Sequence, residues 1–377
     1  MLTLEDKTMT SLLVGTRKGL FVIDNNQIKS HHFQGEPVSQ VLIVPRSQAW
    51  LVALNLGHFG IKLHKSVDQG KTWTALPAPA FPIKPVEGDA DFAAYEDDPT
   101  PWNVELIWSL ATGGVDEPDT LWAGCIPAGL FKSTDGGQSW ALNLPLWSEP
   151  RRQLWMGGGY DHAGIHSIVV DPRDSRHVTL GISCGGVWQT FDRGETWTLT
   201  AEGMKYDFTP PDMAEDPNTQ DPHCLVQCAA QPDVLWVQHH CGIYRATDGG
   251  RDWQQITTPI SSSFPSVFGF AVVADPANPW RAWFAPAIKD EKRFPVNGKL
   301  VVTRTDDGGK TFQAFSAGLP QQHAYDLIYR HGLAVAPNGQ DLAMASTTGS
   351  LWVSGDAGES WETVSQNLPP VAVVKFV

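Results

Sequence analysis

The sequence predicts an all-β protein: a seven-bladed β-propeller of four-stranded antiparallel blades, its ring closed by the C-terminal strand pairing in the first blade. Three observations predict it. First, one phrase occurs six times, beginning with Ser66-Val-Asp68-Gln-Gly70-Lys-Thr72-Trp73 and ending with Ser354-Gly-Asp356-Ala-Gly358-Glu-Ser360-Trp361. Second, its acids, Asp68, Asp135, Asp192, Asp248, Asp307 and Asp356, are separated by 67, 57, 56, 59 and 49 residues, which suits a four-stranded unit with variable loops. Third, Gly19-Leu-Phe-Val-Ile-Asp24 matches the run before the second phrase, Gly129-Leu-Phe-Lys-Ser-Thr-Asp135, and marks a seventh unit with a degenerate turn.

Each residue of the phrase has a use in a tight hairpin. The acid accepts from backbone amides just ahead of it, the glycine takes a positive φ, and the final aromatic buries against a neighbouring sheet. The acids are therefore read as turn residues, not as ligands.

Strands follow in the order A to D within a unit, A innermost. In the fourth unit they are predicted at 167–170, 178–182, 187–190 and 196–200, with the phrase forming the C-to-D turn. A strands end in Val170-Asp-Pro172, Ala274-Asp-Pro276 and Ala336-Pro337; B strands read Leu121-Trp-Ala-Gly124 or Leu235-Trp-Val-Gln238. The first unit lacks an A strand, and the run Val371-Ala-Val-Val-Lys-Phe-Val377 is left over to supply it. One domain, 1–377, is expected.

Composition narrows the function classes. A formal net charge of −14, from 27 Lys and Arg against 41 Asp and Glu, argues against a nucleic-acid partner. No stretch approaches a membrane span, and the first ten residues show no apolar leader, so a cytoplasmic protein is expected. Five cysteines without paired spacing suit reduced thiols. Cys125, Cys184 and Cys241 end equivalent B strands and are read as small packing residues ahead of metal ligands or nucleophiles, with Cys241, next to His239 and His240, the exception to test.

In an up-and-down meander, the A-to-B and C-to-D turns share one face, and the B-to-C and D-to-A loops share the other. Long D-to-A loops at 76–103, 142–166, 201–223 and 317–330 put the chemistry on the second face. Residues opening the A strands should converge on the channel mouth. The candidate catalytic carboxylates there are Glu105, Asp161, Asp221 and Asp326. The candidate substrate-binding residues are Trp102, Tyr160, His239, His240, Lys289, Arg293 and Arg330. His166, His223 and His331 are candidate ligands for a divalent metal, since imidazole with carboxylate suits Zn, Mn or Fe. The bland reading of each histidine is a hydrogen-bonded strand end.

The six phrases resemble the Asp-box, or bacterial neuraminidase repeat (BNR), of the sialidase-like propeller superfamily. That group includes sialidases, xyloglucan-degrading glucanases, sortilin-type receptors and a photosystem II assembly factor, so the resemblance implies a fold more than an activity. The sequence departs from sialidases: Arg17-Lys-Gly-Leu stands near the position of their opening motif, and no arginine triad can be assigned. The segments Asp161-His-Ala-Gly-Ile-His166, Glu215-Asp-Pro-Asn-Thr-Gln-Asp-Pro-His223 and Gln238-His-His-Cys-Gly242 resemble a bacterial cytoplasmic subgroup of Asp-box proteins labelled glycosyl hydrolase. Three functions are therefore expected in competition. One is a hydrolase or lyase of a small polar or sugar-like substrate, metal-assisted at the channel mouth. The others are a glycoside hydrolase using a carboxylate pair and a non-catalytic scaffold for a protein or glycan partner.

Overall fold

The computed structural model describes residues 11–90 and 92–377; the first ten, read above as lacking a leader, lie outside the described residues. Seven four-stranded antiparallel sheets form the propeller. Blade 1 takes its inner strand from the end of the chain. Val371–Phe376 pairs antiparallel with Leu12–Thr16, Leu12 opposite Phe376, and Gly19–Asp24 and Gln27–His32 complete the sheet. The A strands of blades 2 to 7 are Val38–Val44, Leu106–Thr112, Ile165–Val170, Pro222–Gln227, Gly269–Ala274 and Leu333–Val335. Each touches the A strand of the next blade around the axis.

The repeated turn is held by its own side chains. In the turn at 66–72, Ser66 Oγ donates to Asp68 Oδ1 (2.8 Å) and accepts from Gly70 N (2.8 Å). Asp68 Oδ1 accepts from Thr72 N (2.9 Å), and Oδ2 accepts from Thr72 Oγ1 (2.6 Å). The same bonds recur around Asp135, Asp192, Asp307 and Asp356. The turn at Asp248 lacks both hydroxyls and keeps only the bonds from Arg251 N and Asp252 N. The degenerate turn of blade 1 is Asn25-Asn26, both at positive φ (51° and 59°), the geometry of a two-residue hairpin. These acids are consumed by the turns, which leaves that face of the ring structural.

Between blades lie apolar seams anchored by tryptophans that are fully buried: Trp122, Trp188, Trp236, Trp283 and Trp352. The D strands of blades 2 to 7 run only two to four residues, as in Thr198–Leu199 where 196–200 was expected, because the outer edge has no further sheet to pair with.

Six of the seven A strands carry a register shift near their start, which skips Ser39, Trp108, His166, His223 and Ala372, and in blade 6 Phe270 and Ala271. A bulge re-aims the residue it contains. Here it sets Trp108, His166, His223 and Phe270 in one layer across the inner end of the ring.

Candidate functional site

The layer is stitched by bonds from a side chain of one blade to the backbone of another. Gln40 Nε2 donates to Trp108 O (3.0 Å), and Ser109 Oγ donates to Ile165 O (2.8 Å). His166 Nε2 reaches Pro222 O (2.6 Å), and His223 Nδ1 reaches Gly269 O (2.7 Å). His331 Nε2 crosses the axis to His166 O (3.0 Å). A carbonyl only accepts, so each of these imidazole nitrogens carries the proton. Burial pushes the pKa of His166 well down and that of His331 to about 3, which keeps both neutral.

His166, His223 and His331 were expected to share a metal, and the structure divides them. The second nitrogens of His166 and His331 face Ser167 Oγ (2.9 Å) and Gln40 Nε2 (3.3 Å), so both rings are occupied as blade staples. His223 instead turns its Nε2 toward Asp221 and His240. His223 Nε2 lies 3.2 Å from His240 Nδ1 and 3.4 Å from Asp221 Oδ2, and His240 Nδ1 lies 3.1 Å from the same oxygen. Among the described residues this is the group of three whose ligand atoms come close enough to hold one ion. All three belong to blade 5: Asp221 immediately precedes its A strand, His223 is the bulged residue, and His240 stands in its B-to-C turn.

Tautomers follow from the partners. His223 spends its proton on Gly269 O, so its Nε2 presents a lone pair. Without an ion, a single proton on His240 Nδ1 serves both that lone pair and Asp221. Burial opposes the charge on Asp221, but the imidazole pair of His223 and His240, with its proton turned toward the carboxylate, outweighs it, and the carboxyl is held well below the ordinary range. Asp221 Oδ1 also accepts from Cys184 N (3.1 Å), where Cys184 takes a positive φ of 45°. Burial pushes the Cys184 thiol far up, so it is no thiolate. His240 Nε2 is buried without a partner, enclosed by Tyr206, Phe208 and Phe268. Gly158 brings bare backbone over the site: a Cβ there would sit 3.3 Å from both Asp221 Oδ1 and Cys184 Sγ.

The other candidates are dispersed. Glu105 and Asp161 are exposed on loops. Asp326 is buried, taking hydrogen bonds from Ser346 Oγ (2.8 Å) and Thr348 Oγ1 as a turn brace. Trp102 packs among Phe81, Tyr95 and Trp147. Tyr160 is half exposed, edge-on to Trp108. His239 is fully buried and faces Asp221 N and Cys241 N, both at 3.0 Å. Lys289 pairs with Glu291 and Arg293 with Asp290, so the charged run is largely neutralised within itself. Arg330 is 7 % exposed, lies over Trp108 (4.5 Å) and Phe270 (5.3 Å), and leaves Nε and Nη2 without partners.

The fold defines the class: a seven-bladed propeller with a polar cluster under its loop-rich face. No protein-family model matches the chain. By sequence it is similar to the oligoxyloglucan-reducing end-specific xyloglucanase of Emericella nidulans, 24% identical over 281 residues that cover 68% of this chain and 32% of that protein. It is also similar to xyloglucanase Xgh74A of Acetivibrio thermocellus, 22% identical over 315 residues, with the same coverage. The chain thus spans about a third of the length of these relatives. Among solved structures, an ancestral GH74 enzyme superposes with a TM-score of 0.60 at 15% identity, covering 94% of this chain and 40% of the other. YCF48 bound to D1 peptide superposes at 0.52 and 14% identity, covering 96% and 85%. These two superpositions show the fold alone.

The sequence relatives correct one expectation. Both are named as xyloglucanases, enzymes of a typically secreted kind, which contradicts the cytoplasmic placement read from the first residues. No helix among the described residues is long and apolar enough to cross a membrane.

Proposed function

We propose that the protein is a hydrolase of a sugar-like substrate whose reaction centre is Asp221, His223 and His240 holding a divalent cation of the zinc class. One observation carries the reading: the three ligand atoms stand 3.1, 3.2 and 3.4 Å apart. Neighbouring ligands of a tetrahedral ion with bonds of about 2.0–2.1 Å are about 3.3 Å apart, so an ion can replace the shared proton with little rearrangement. The residues fit in chemistry as well. Asp221 is anionic, His223 offers Nε2, and His240 can move its proton to the partnerless Nε2 when Nδ1 binds.

When bound, such an ion supplies Lewis acidity and lowers the pKa of a coordinated water. The chain does the rest. Gly269 O and Cys184 N fix the orientations of His223 and Asp221, as outer partners of ligands do. Tyr206, Phe208 and Phe268 pack around His240, and Gly158 lets its loop lie close over Asp221 from the loop-rich face. Similarity to xyloglucanases over 68% of the chain supports a carbohydrate as the substrate class. The turn chemistry supports placing the chain in the Asp-box superfamily as one propeller domain.

A carboxylate-pair glycosidase makes a different demand, since its acid must retain a proton. Asp221, held anionic, could serve only as base or nucleophile, with the acid from an exposed loop such as that of Glu105 or Asp161. Burial of Asp221 and His223 to 2% exposure favours a second reading, a scaffold with an inert plug.

The deciding experiment combines metal analysis by plasma mass spectrometry with turnover of aryl glycosides and xyloglucan oligosaccharides. The proposal expects one equivalent of metal and turnover, both lost in Asp221→Asn and His240→Ala while folding persists. Turnover that survives His240→Ala but not Glu105→Gln would replace it with the carboxylate pair. Folded, metal-free protein without turnover would leave the scaffold.

A further inference from the structure

The central channel carries a feature that the blade-5 cluster does not use. A cavity of about 790 Å³ runs along the A strands, from Gln40, His166, Cys224, Arg330 and His331 at the inner layer to Pro45, Pro172 and Pro337 at the A-to-B turns. In a chain with 41 acids and 27 basic residues, no Asp or Glu lines it, among the described residues, yet two cations do: Arg330 and Lys375.

Neither cation has an ion-pair or hydrogen-bond partner for its side chain among the described residues. Arg330 is more than nine-tenths buried, and its Nε and Nη2 are orphaned. Trp108 and Phe270 flank the guanidinium, which satisfies its faces by cation–π contact and leaves the in-plane N–H groups unspent. Asp221 is the nearby acid, but its carboxylate is engaged by His223, His240 and Cys184 N, and it makes no ion pair with Arg330. Lys375 reaches the same space from the ring-closing strand, where it stands opposite Leu13. Both cations act on the Cys224 thiol and on His331, which places the two in one neighbourhood. The histidines there are neutral, so they add donors without competing charge.

Withdrawing Arg330 from water, with a half-buried Lys375 beside it, is costly when no anion pairs with them. A planar guanidinium with free in-plane donors matches the oxygens of a carboxylate or phosphate, and an ammonium alongside adds a point charge. We infer that the channel is a binding site for a small oxyanion, held by Arg330 and Lys375. The site is separate from the proposed cation site and stands whether or not that site holds metal.

Titration calorimetry at fixed ionic strength tests it, using inorganic phosphate and citrate as probes with sodium chloride as the background salt. The tighter of the two identifies phosphate or carboxylate chemistry as the source. Wild type should bind one equivalent, and Lys375→Met and Arg330→Gln should each weaken binding by about tenfold or more. The exposed control Lys62→Met should bind as wild type does. The inference is overturned if wild type binds neither probe above the chloride background, or if Lys375→Met binds unchanged. Should Arg330→Gln fail to fold, the lysine variant decides alone.

Discussion

Removing residues 371–377 should unfasten the ring. The strand Val371–Phe376 buries Val371 (5% exposed), Val373 (0%) and Val374 (1%), and it covers Leu12, Leu13 and Val14 on its partner. At about 1.5–3 kcal/mol per buried aliphatic side chain, the three valines alone contribute about 5–9 kcal/mol. A compact denatured chain makes that an upper figure. The loss compares with a whole-domain stability of about 5–15 kcal/mol. It also bares the backbone edge of Leu12–Thr16 at the centre of the molecule, an invitation to aggregate. Urea unfolding followed by tryptophan fluorescence should show the truncated chain unfolded, or destabilised by several kcal/mol, and a synthetic 371–377 peptide should restore part of the loss. A truncated chain that remains monomeric and loses less than about 2 kcal/mol would refute the closure argument.

Three further outcomes follow from the same structure. Burial holds the folded-state pKa of His331 at about 3, below its unfolded value of about 6.5, so its contribution is complete above pH 6.5 and is lost as pH falls toward 3. At pH 5 this amounts to at most about 2 kcal/mol, and His331→Gln should flatten the dependence of unfolding free energy on pH; an unchanged slope would count against it. Asp307→Ala removes bonds from Thr305 Oγ1, Lys310 N, Thr311 N and Thr311 Oγ1, and should cost about 1–3 kcal/mol in denaturation while leaving metal content unchanged. Gly158→Val places a side chain against Asp221 and Cys184, and should weaken metal binding with little change in melting temperature; equal affinity would show that the loop does not cover the site.

Much of the fold was legible because it is written in local chemistry. A hydroxyl, an acid, a glycine and an aromatic at fixed offsets specify one hairpin, and repetition of that hairpin specifies the ring. The closing strand was legible because a β-rich run had no unit of its own. The site was less so. Asp221, His223 and His240 stood in the sequence as polar residues on the expected face. Their distinction from His166 and His331 depends on which neighbouring carbonyl each ring meets, a tertiary fact. The A-strand bulges also left little trace in the alternation of polar and apolar residues, and they decide that Trp108 and Phe270 face the axis. Lys375 did leave a trace: a lone charge within Val-Val-Lys-Phe-Val at the innermost strand signals a polar interior.

In this reading blade 5 holds a cation. Crystals of the protein grown with zinc and measured at the zinc absorption edge test it most directly. One anomalous peak is expected about 2.0–2.2 Å from His223 Nε2, His240 Nδ1 and Asp221 Oδ2. A map without a peak there, with the three side chains still 3.1–3.4 Å apart, would contradict it.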